Sequence, residues 1–257
     1  MAQRLVRAKR KIKVARIPYR VPQGHELPDR LRPVLTVAYL VYNAGADSPA
    51  DEQSAGNDLR REAIRLARLL SSLMPDEPEV AGLLALLLLT ESRRRARFTA
   101  DGSLVLLRDQ DRGRWDRAMI DEGQAIVRAT LRRNQPGPYQ LQAAINAVHA
   151  DADSVEATDW SEIVALYDQL LTVAPPVVGL NRAVAVSEVD GPAAALALVD
   201  CLDLDGYHPF HATRADLLRR LHRPDEAANA YDMAASLAST AAERNFLAGQ
   251  ARQLSSP

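Results

Sequence analysis

The last hundred residues of the chain repeat at a spacing of 32, and a chain that repeats at this length is confined to a small set of stacked architectures. Positions 163, 195 and 227 are Ile, Ala and Ala; 166, 198 and 230 are Leu, Leu and Ala; 167, 199 and 231 are Tyr, Val and Tyr; 170, 202 and 234 are Leu, Leu and Ala. These are the i, i+3, i+4 and i+7 positions of one helix face, three times over. Positions 168, 200 and 232 are Asp in all three units, and Asn181-Arg182-Ala183 returns as Thr213-Arg214-Ala215, with Asn245 at the third equivalent place. Each unit therefore reads as a helix, a turn and a second helix. Small residues let the paired helices approach, and stacking buries faces that one unit could not bury alone.

The rest of the chain also reads as helix. DLRREAIRLARLLSSLM carries Leu59, Ala63, Leu66, Ala67, Leu70, Leu73 and Met74 on a wide apolar stripe, with Arg60, Arg61, Arg65 and Arg68 pointing elsewhere. PEVAGLLALLLLTESRRRARF is apolar on every side from Val80 to Leu89, which predicts the most buried element, with Arg93 to Arg97 emerging into solvent. LRPVLTVAYLVYNAGA reads as a helix from about Leu31 that stops near Asn43 to Gly45, residues suited to a left-handed cap. Residues 45–58, GADSPADEQSAGND, read as a polar surface loop, and Pro136-Gly137-Pro138 separates two antiparallel helices. The one strand-like stretch is ARFTADGSLVLL, where Asp101-Gly102 divides two short apolar runs. The fold class is all-α, a helical-hairpin array with room for one minor β-hairpin.

Composition matters at three points. With 257 residues, 47% of them apolar, the chain can bury a core of one large or two ordinary domains. Cys201 is the only cysteine, so no internal disulfide forms; its apolar neighbours Leu198, Val199 and Leu202 predict a buried free thiol, and the usage fits a reducing, cytoplasmic setting. The longest apolar run is about half of what a bilayer span needs, so no transmembrane segment and no membrane partner are expected.

Three clusters invite a chemical reading. YHPFHATRAD holds His208, His211 and Asp216, but a three-residue spacing across Pro209 matches no zinc pattern, and His211 is expected to open a repeat helix. LLRDQDRGRWD holds Asp109, Asp111 and Asp116, yet Arg114 and Ile120 occupy the glycine and glutamate positions of a calcium loop; turn formation and helix capping are expected instead. AVHADAD places His149, Asp151 and Asp153 at a helix end, where a protonated His is favourable by itself. No GxSxG, P-loop, GxGxxG or CxxC pattern occurs. No catalytic residue, metal site or cofactor is expected.

The charge is unevenly placed. Residues 1–22, MAQRLVRAKRKIKVARIPYRVP, hold eight Lys or Arg and no acid, whereas the other 235 residues hold 24 basic and 33 acidic side chains, a head of +8 on a body of −9. The head is expected to be helical from about Ala2 to Arg16, with Leu5, Ala8, Ile12 and Ala15 on a thin stripe. That stripe is too meagre for membrane insertion; the charge run taken alone reads as a solvated face, and it also suits a helix that turns a basic surface toward nucleic acid.

Two resemblances follow. Leu221 to Ala238, LHRPDEAANAYDMAASLA, resembles a tetratricopeptide (TPR) unit, with Glu226-Ala227, Ala230-Tyr231 and Ala234 at its small and aromatic positions and His222 in place of the usual turn glycine. AQRLVRAKRKI resembles the end of the recognition helix in region 4 of extracytoplasmic-function (ECF) RNA polymerase sigma factors. YLVYNAGA, REAIRLARLL, PEVAGLLALLLL, SRRRAR, SLVLLRDQDRGRWD, GPYQLQAAINAVHA, VVGLNRAVAV and ATRADLLRRL continue the likeness to the ECF group with a TPR-like C-terminal extension.

The resemblance implies residues 1–22 as the remnant of the region 4 recognition helix plus linker, 23–156 as a helical domain and 157–257 as TPR-like repeats. It implies the C-terminal part of a longer sigma factor, acting as a regulatory, protein-interaction extension in transcription initiation. Gln3, Arg4, Arg7, Lys9, Arg10 and Lys11 would contact promoter DNA in the full-length protein. The implied partners are RNA polymerase core, the sigma domains and a signalling protein. Without the resemblance, the residues leave two other readings: a free-standing helical-repeat scaffold for a protein or RNA, and a small-molecule enzyme using a pocket between the helical halves.

Overall fold

A computed structural model describes residues 27–46, 55–100, 102–172 and 177–255. Among them stand eleven α-helices: α1 (Leu27–Ala46), α2 (Ala55–Leu73), α3 (Pro78–Glu91), α4 (Arg117–Leu131), α5 (Pro138–Asp151), α6 (Trp160–Leu171), α7 (Val177–Val189), α8 (Pro192–Val199), α9 (His208–Arg220), α10 (Pro224–Leu237) and α11 (Ala241–Ser255). The all-α expectation holds. The strand-like stretch amounts to a single antiparallel bridge, Phe98 to Leu104, with Gly102 at φ +83°. The chain divides into two compact units, Met1–Thr36 and Val37–Pro257. Of the first, only the opening turns of α1 are described, with Leu31 and Leu35 buried.

In the second unit α3 is the centre, as its all-round apolar sequence requires. Val80, Leu83, Ala85, Leu87, Leu88 and Leu89 are all fully buried, and each such leucine contributes about 2 kcal/mol by leaving water. The helix packs against α2 on one side and against α4 and α5 on others. Gly123 of α4 admits this contact, because a Cβ there would stand 2.7 Å from the Leu89 side chain.

Several local expectations are corrected. α1 runs through Asn43 and Gly45 to Ala46, so Gly45 is a contact residue rather than a cap: a Cβ on it would lie 2.3 Å from the Gly56 carbonyl oxygen. On α2 the buried face is Gly56, Arg60, Ala63 and Ala67, while Leu59, Leu69 and Leu73 are exposed. Close approach selects small residues and one slender arginine stem for the inward face and leaves the leucines on its flanks. Cys201 is exposed, because α8 ends at Val199 and the thiol falls in the turn that follows.

The 32-residue repeat is three helical hairpins, α6–α7, α8–α9 and α10–α11. Ile163, Ala195 and Ala227, the first equivalent positions, are all 0% exposed, as are Ala183 and Ala215 on the second helices. Leu198 departs from the pattern and is exposed; Leu196 takes the buried place beside Ala195 and Val199. His222 fulfils the role of the missing turn glycine at φ +57°. Its N–H donates to the Arg219 carbonyl at 3.1 Å and the Arg223 N–H to the Leu218 carbonyl at 3.0 Å, the paired bonds of a Schellman ending.

Two apolar clusters result. One joins α3, α4, α5 and α6; the other joins α8 to α11. Helix α7 serves both, with Ala185 in the first cluster and Leu180 and Ala183 in the second.

Candidate functional site

The most unusual polar feature lies just past the C-terminal end of α3. The Ser92 N–H donates to the Leu88 carbonyl at 2.9 Å and its hydroxyl to the Leu89 carbonyl at 2.8 Å, which turns the chain into a short 3₁₀ segment, Arg94–Ala96. That turn carries arginines inward. The expectation that Arg93 to Arg97 emerge into solvent is corrected: Arg94 is buried, Arg93 and Arg97 are half-buried, and Arg95 alone is fully exposed.

The arginines find the end of α1. The last carbonyls of a helix have no partner within it, and they carry the negative end of its dipole. Arg60 donates from Nη1 to the Gly45 carbonyl at 2.6 Å, and Arg94 from Nη1 to the Ala46 carbonyl at 2.6 Å. The close Gly45–Gly56 contact brings Arg60, one turn further along α2, within reach. Arg60, only 3% exposed, also lies 3.2 Å from Glu91, which in turn accepts from the Tyr42 hydroxyl at 2.9 Å. The expectation that Arg60 points away from the core is therefore overturned: a carboxylate, a helix end and Asn57 Oδ1 at 3.3 Å together make its burial tolerable.

A second set continues toward α5. Arg112 repeats the helix-end device, donating from Nη1 to the His149 and Ala152 carbonyls, each at 2.6 Å. Arg93 donates to the Asn146 side-chain carbonyl. Both guanidiniums lie over the buried Trp115 ring, at 4.9 Å for Arg112 and 5.9 Å for Arg93. His149 meets the Trp160 ring edge-on at 5.2 Å.

The electrostatics follow from crowding positive charge into apolar surroundings. Burial, with further repulsion from Arg97 and Arg112, pushes Arg93 down to about 10; burial, with Arg60 and Arg97, does the same to Arg94. Both stay protonated at neutral pH. Burial raises the Tyr42 hydroxyl far above its ordinary value, and Glu91 adds to the rise. Burial raises Tyr167 to about 12. His149 is held down to about 4 by burial and by Arg93 and Arg112, which corrects the reading of it as a charged helix-end histidine.

An ionic junction lies between the first helices and the repeats. Glu188 of α7 accepts from Arg220 of α9 at 2.7 Å and has Arg108 at 3.8 Å; Asp216 of α9 pairs with Arg219 at 2.6 Å and has Arg108 at 3.7 Å. Arg220 further holds the Ser187 hydroxyl at 2.8 Å.

The residues singled out in the sequence fall as follows. Gln3, Arg4, Arg7, Lys9, Arg10 and Lys11 lie outside the described residues. His208 opens α9, one turn before His211, whose Nε2 lies 2.8 Å from the Asp205 carbonyl oxygen; Asp216 faces arginines. Asp111 accepts from the Gly113 N–H at 2.9 Å and Asp116 caps α4 through the Met119 N–H at 3.1 Å, so these carboxylates make turns and caps. Among the described residues no group of three His, Cys, Asp or Glu could hold a metal ion. An open hollow of about 590 Å³ is lined by Asp200, Cys201, Asp203, Asp205, His211 and Arg214, among others. No helix among the described residues is long and apolar enough to cross a membrane.

The arginine cluster was not found from sequence, because a run of arginines after an apolar helix has the pattern of a solvated end. The available signals were Glu91 at the end of that helix and the aromatics Phe98 and Trp115 beyond it.

Residues 30–131, which hold most of this cluster, match a family described as being of unknown function (DUF6596). An uncharacterized protein of Rhizobium meliloti (strain 1021) is 49% identical over 250 residues, which make up 96% of this chain and 59% of that protein. The chain thus spans about three-fifths of the length of the curated relative it matches. No solved structure matches it.

Proposed function

We propose that this chain is the C-terminal, helical-repeat part of an ECF-type RNA polymerase sigma factor, a regulatory protein-interaction extension that works in promoter-directed transcription initiation in the cytoplasm. The observation that carries the reading is the array of three hairpins whose equivalent small residues, Ala195 and Ala227 with Ala183 and Ala215, sit fully buried at the helix contacts. Such arrays offer extended surfaces to protein partners. The order of motifs from YLVYNAGA to ATRADLLRRL supports the sigma-factor resemblance, and the greater length of the rhizobial relative leaves room for further domains in that protein. In this reading Arg4, Arg7, Lys9, Arg10 and Lys11 contact phosphates and bases of the promoter, and the helical body contacts the sigma domains, core polymerase or a signalling protein. The chain performs no catalysis of its own.

The test is transcription in vitro from a cognate promoter by core polymerase with the complete gene product, compared with a version ending at residue 156. The reading expects initiation that depends on the complete protein and changes when the repeats are removed. It also expects promoter affinity that falls steeply with salt and drops with Arg4→Ala plus Arg7→Ala. Undiminished promoter binding by that double variant defeats the DNA assignment. An upstream reading frame unrelated to sigma regions 2 and 4 defeats the sigma-factor reading and leaves a helical-repeat scaffold.

A further inference from the structure

Arg93, Arg97 and Arg112 differ from the other inward-turned arginines in what surrounds them. Arg60 has Glu91 at 3.2 Å, but among the described residues no carboxylate lies within ion-pair distance of these three. All three are half-buried. Arg93 and Arg112 share the Trp115 ring, and Arg97 lies 5.8 Å from the centre of the Phe98 ring. Trp115 is 4% exposed, and its indole N–H meets no acceptor among the described residues. A buried donor without an acceptor costs about 1–3 kcal/mol. Partly buried guanidiniums held close together repel one another as well, offset only at Arg112 by the exposed acids Asp153 and Glu156, and burial, with Arg97 and Arg112 adding to it, holds Arg93 below its ordinary value. Several N–H donors gathered in one neighbourhood with an excess of positive charge suit an anion that carries more than one negative charge and several acceptor oxygens.

We propose that Arg93, Arg97 and Arg112, joined by the Trp115 indole N–H, form a binding site for a phosphate dianion, either free or carried as a phosphomonoester. Arg112 is already fixed by the His149 and Ala152 carbonyls and Arg93 by Asn146, so these two guanidiniums are oriented before the ligand arrives. Arg97 makes no such hydrogen bond among the described residues and is the group free to close on the anion. The inference is independent of the sigma-factor reading.

The test uses the whole chain and two probes, inorganic phosphate and a simple alkyl phosphomonoester, with acetate and chloride at matched ionic strength as controls. Saturable thermal stabilisation by either phosphate probe, absent with the controls, is expected, and the tighter of the two identifies the source. Arg97→Gln, at a half-exposed position, is expected to weaken that binding about tenfold while the circular dichroism spectrum stays unchanged. A second readout needs no substitution: phosphate raises the titration midpoint of His149, followed by NMR, because an anion offsets the charges of Arg93 and Arg112. The proposal is overturned by stabilisation that acetate reproduces, by full phosphate affinity in folded Arg97→Gln, or by a His149 titration that phosphate leaves unmoved.

Discussion

Arg182 donates from Nε to Asp168 Oδ1 at 2.6 Å, fourteen residues back across the α6–α7 hairpin, and Arg214 does the same to Asp200 at 2.8 Å across α8–α9. The third hairpin keeps Asp232 but has Phe246 fourteen residues on, and that ring packs against the apolar cluster instead. The Asp that recurs at every thirty-second position is thus a strut between paired helices in two units and a remnant in the third.

Both partners of the Asp200–Arg214 pair are partly exposed, so water and salt screen them. Arg214→Ala is expected to lower stability by less than about 1 kcal/mol. A double-mutant cycle with Asp200→Ala in denaturant melts should return a coupling of that size at low salt that fades as salt rises.

His222 holds a left-handed backbone that costs a residue with a Cβ about 1 kcal/mol. The side chain is exposed, and its removal leaves no cavity. His222→Gly is expected to raise stability by roughly 0.5 kcal/mol, the gain being reduced by the greater freedom of glycine in the unfolded chain. A measured loss of stability would show that the imidazole makes a contact worth more than the relieved backbone.

A Cβ on Gly45 would press first on the Gly56 backbone, which cannot swing away, and next on the Arg60 stem at 3.0 Å. Gly45→Ala must separate α1 from α2 and draw Arg60 off the Gly45 carbonyl. The expected loss is about 1–3 kcal/mol. Equilibrium unfolding should show it, whereas Gly249→Ala, with open space around its Cβ, should sit near the wild type.

Stability is expected to fall with acid through His149. Unfolded, its imidazole titrates near 6.5; folded, burial and the neighbouring arginine charges hold it near 4. Between those values the unfolded chain binds a proton that the folded chain refuses. The contribution is therefore complete above the upper value and is lost as pH drops toward the lower one, on the order of 3 kcal/mol in full. Denaturant midpoints at pH 7 and pH 4.5 should differ less in His149→Gln than in the wild type.

The helices and their repeat were legible because apolar spacing records which face is buried, and Ile163, Ala195 and Ala227 lie where that spacing puts them. His222 was legible as a turn residue by its place between two helices. What escaped was burial that depends on distant partners. Arg60 and Arg94 are charged by type, and partners distant in sequence make their burial tolerable: the carbonyl end of α1, fifteen and forty-eight residues away, and for Arg60 also Glu91. Leu59 and Leu73 looked buried because periodicity counts apolar residues without knowing how closely the next helix approaches. The Cys201 thiol was misplaced by a similar shortfall: its neighbours are apolar, but the helix ends before it.

Helix α7 has one side in each of the two apolar clusters, and this bears on how such a chain can change length over evolution. A hairpin gained or lost beyond α9 alters only one cluster. Deleting α6 and α7 would strip Ile163, Leu166 and Leu170 from the first cluster and Leu180 from the second at once. The first hairpin is therefore the unit that descendants of this chain are least free to discard, although by sequence it is one repeat among three.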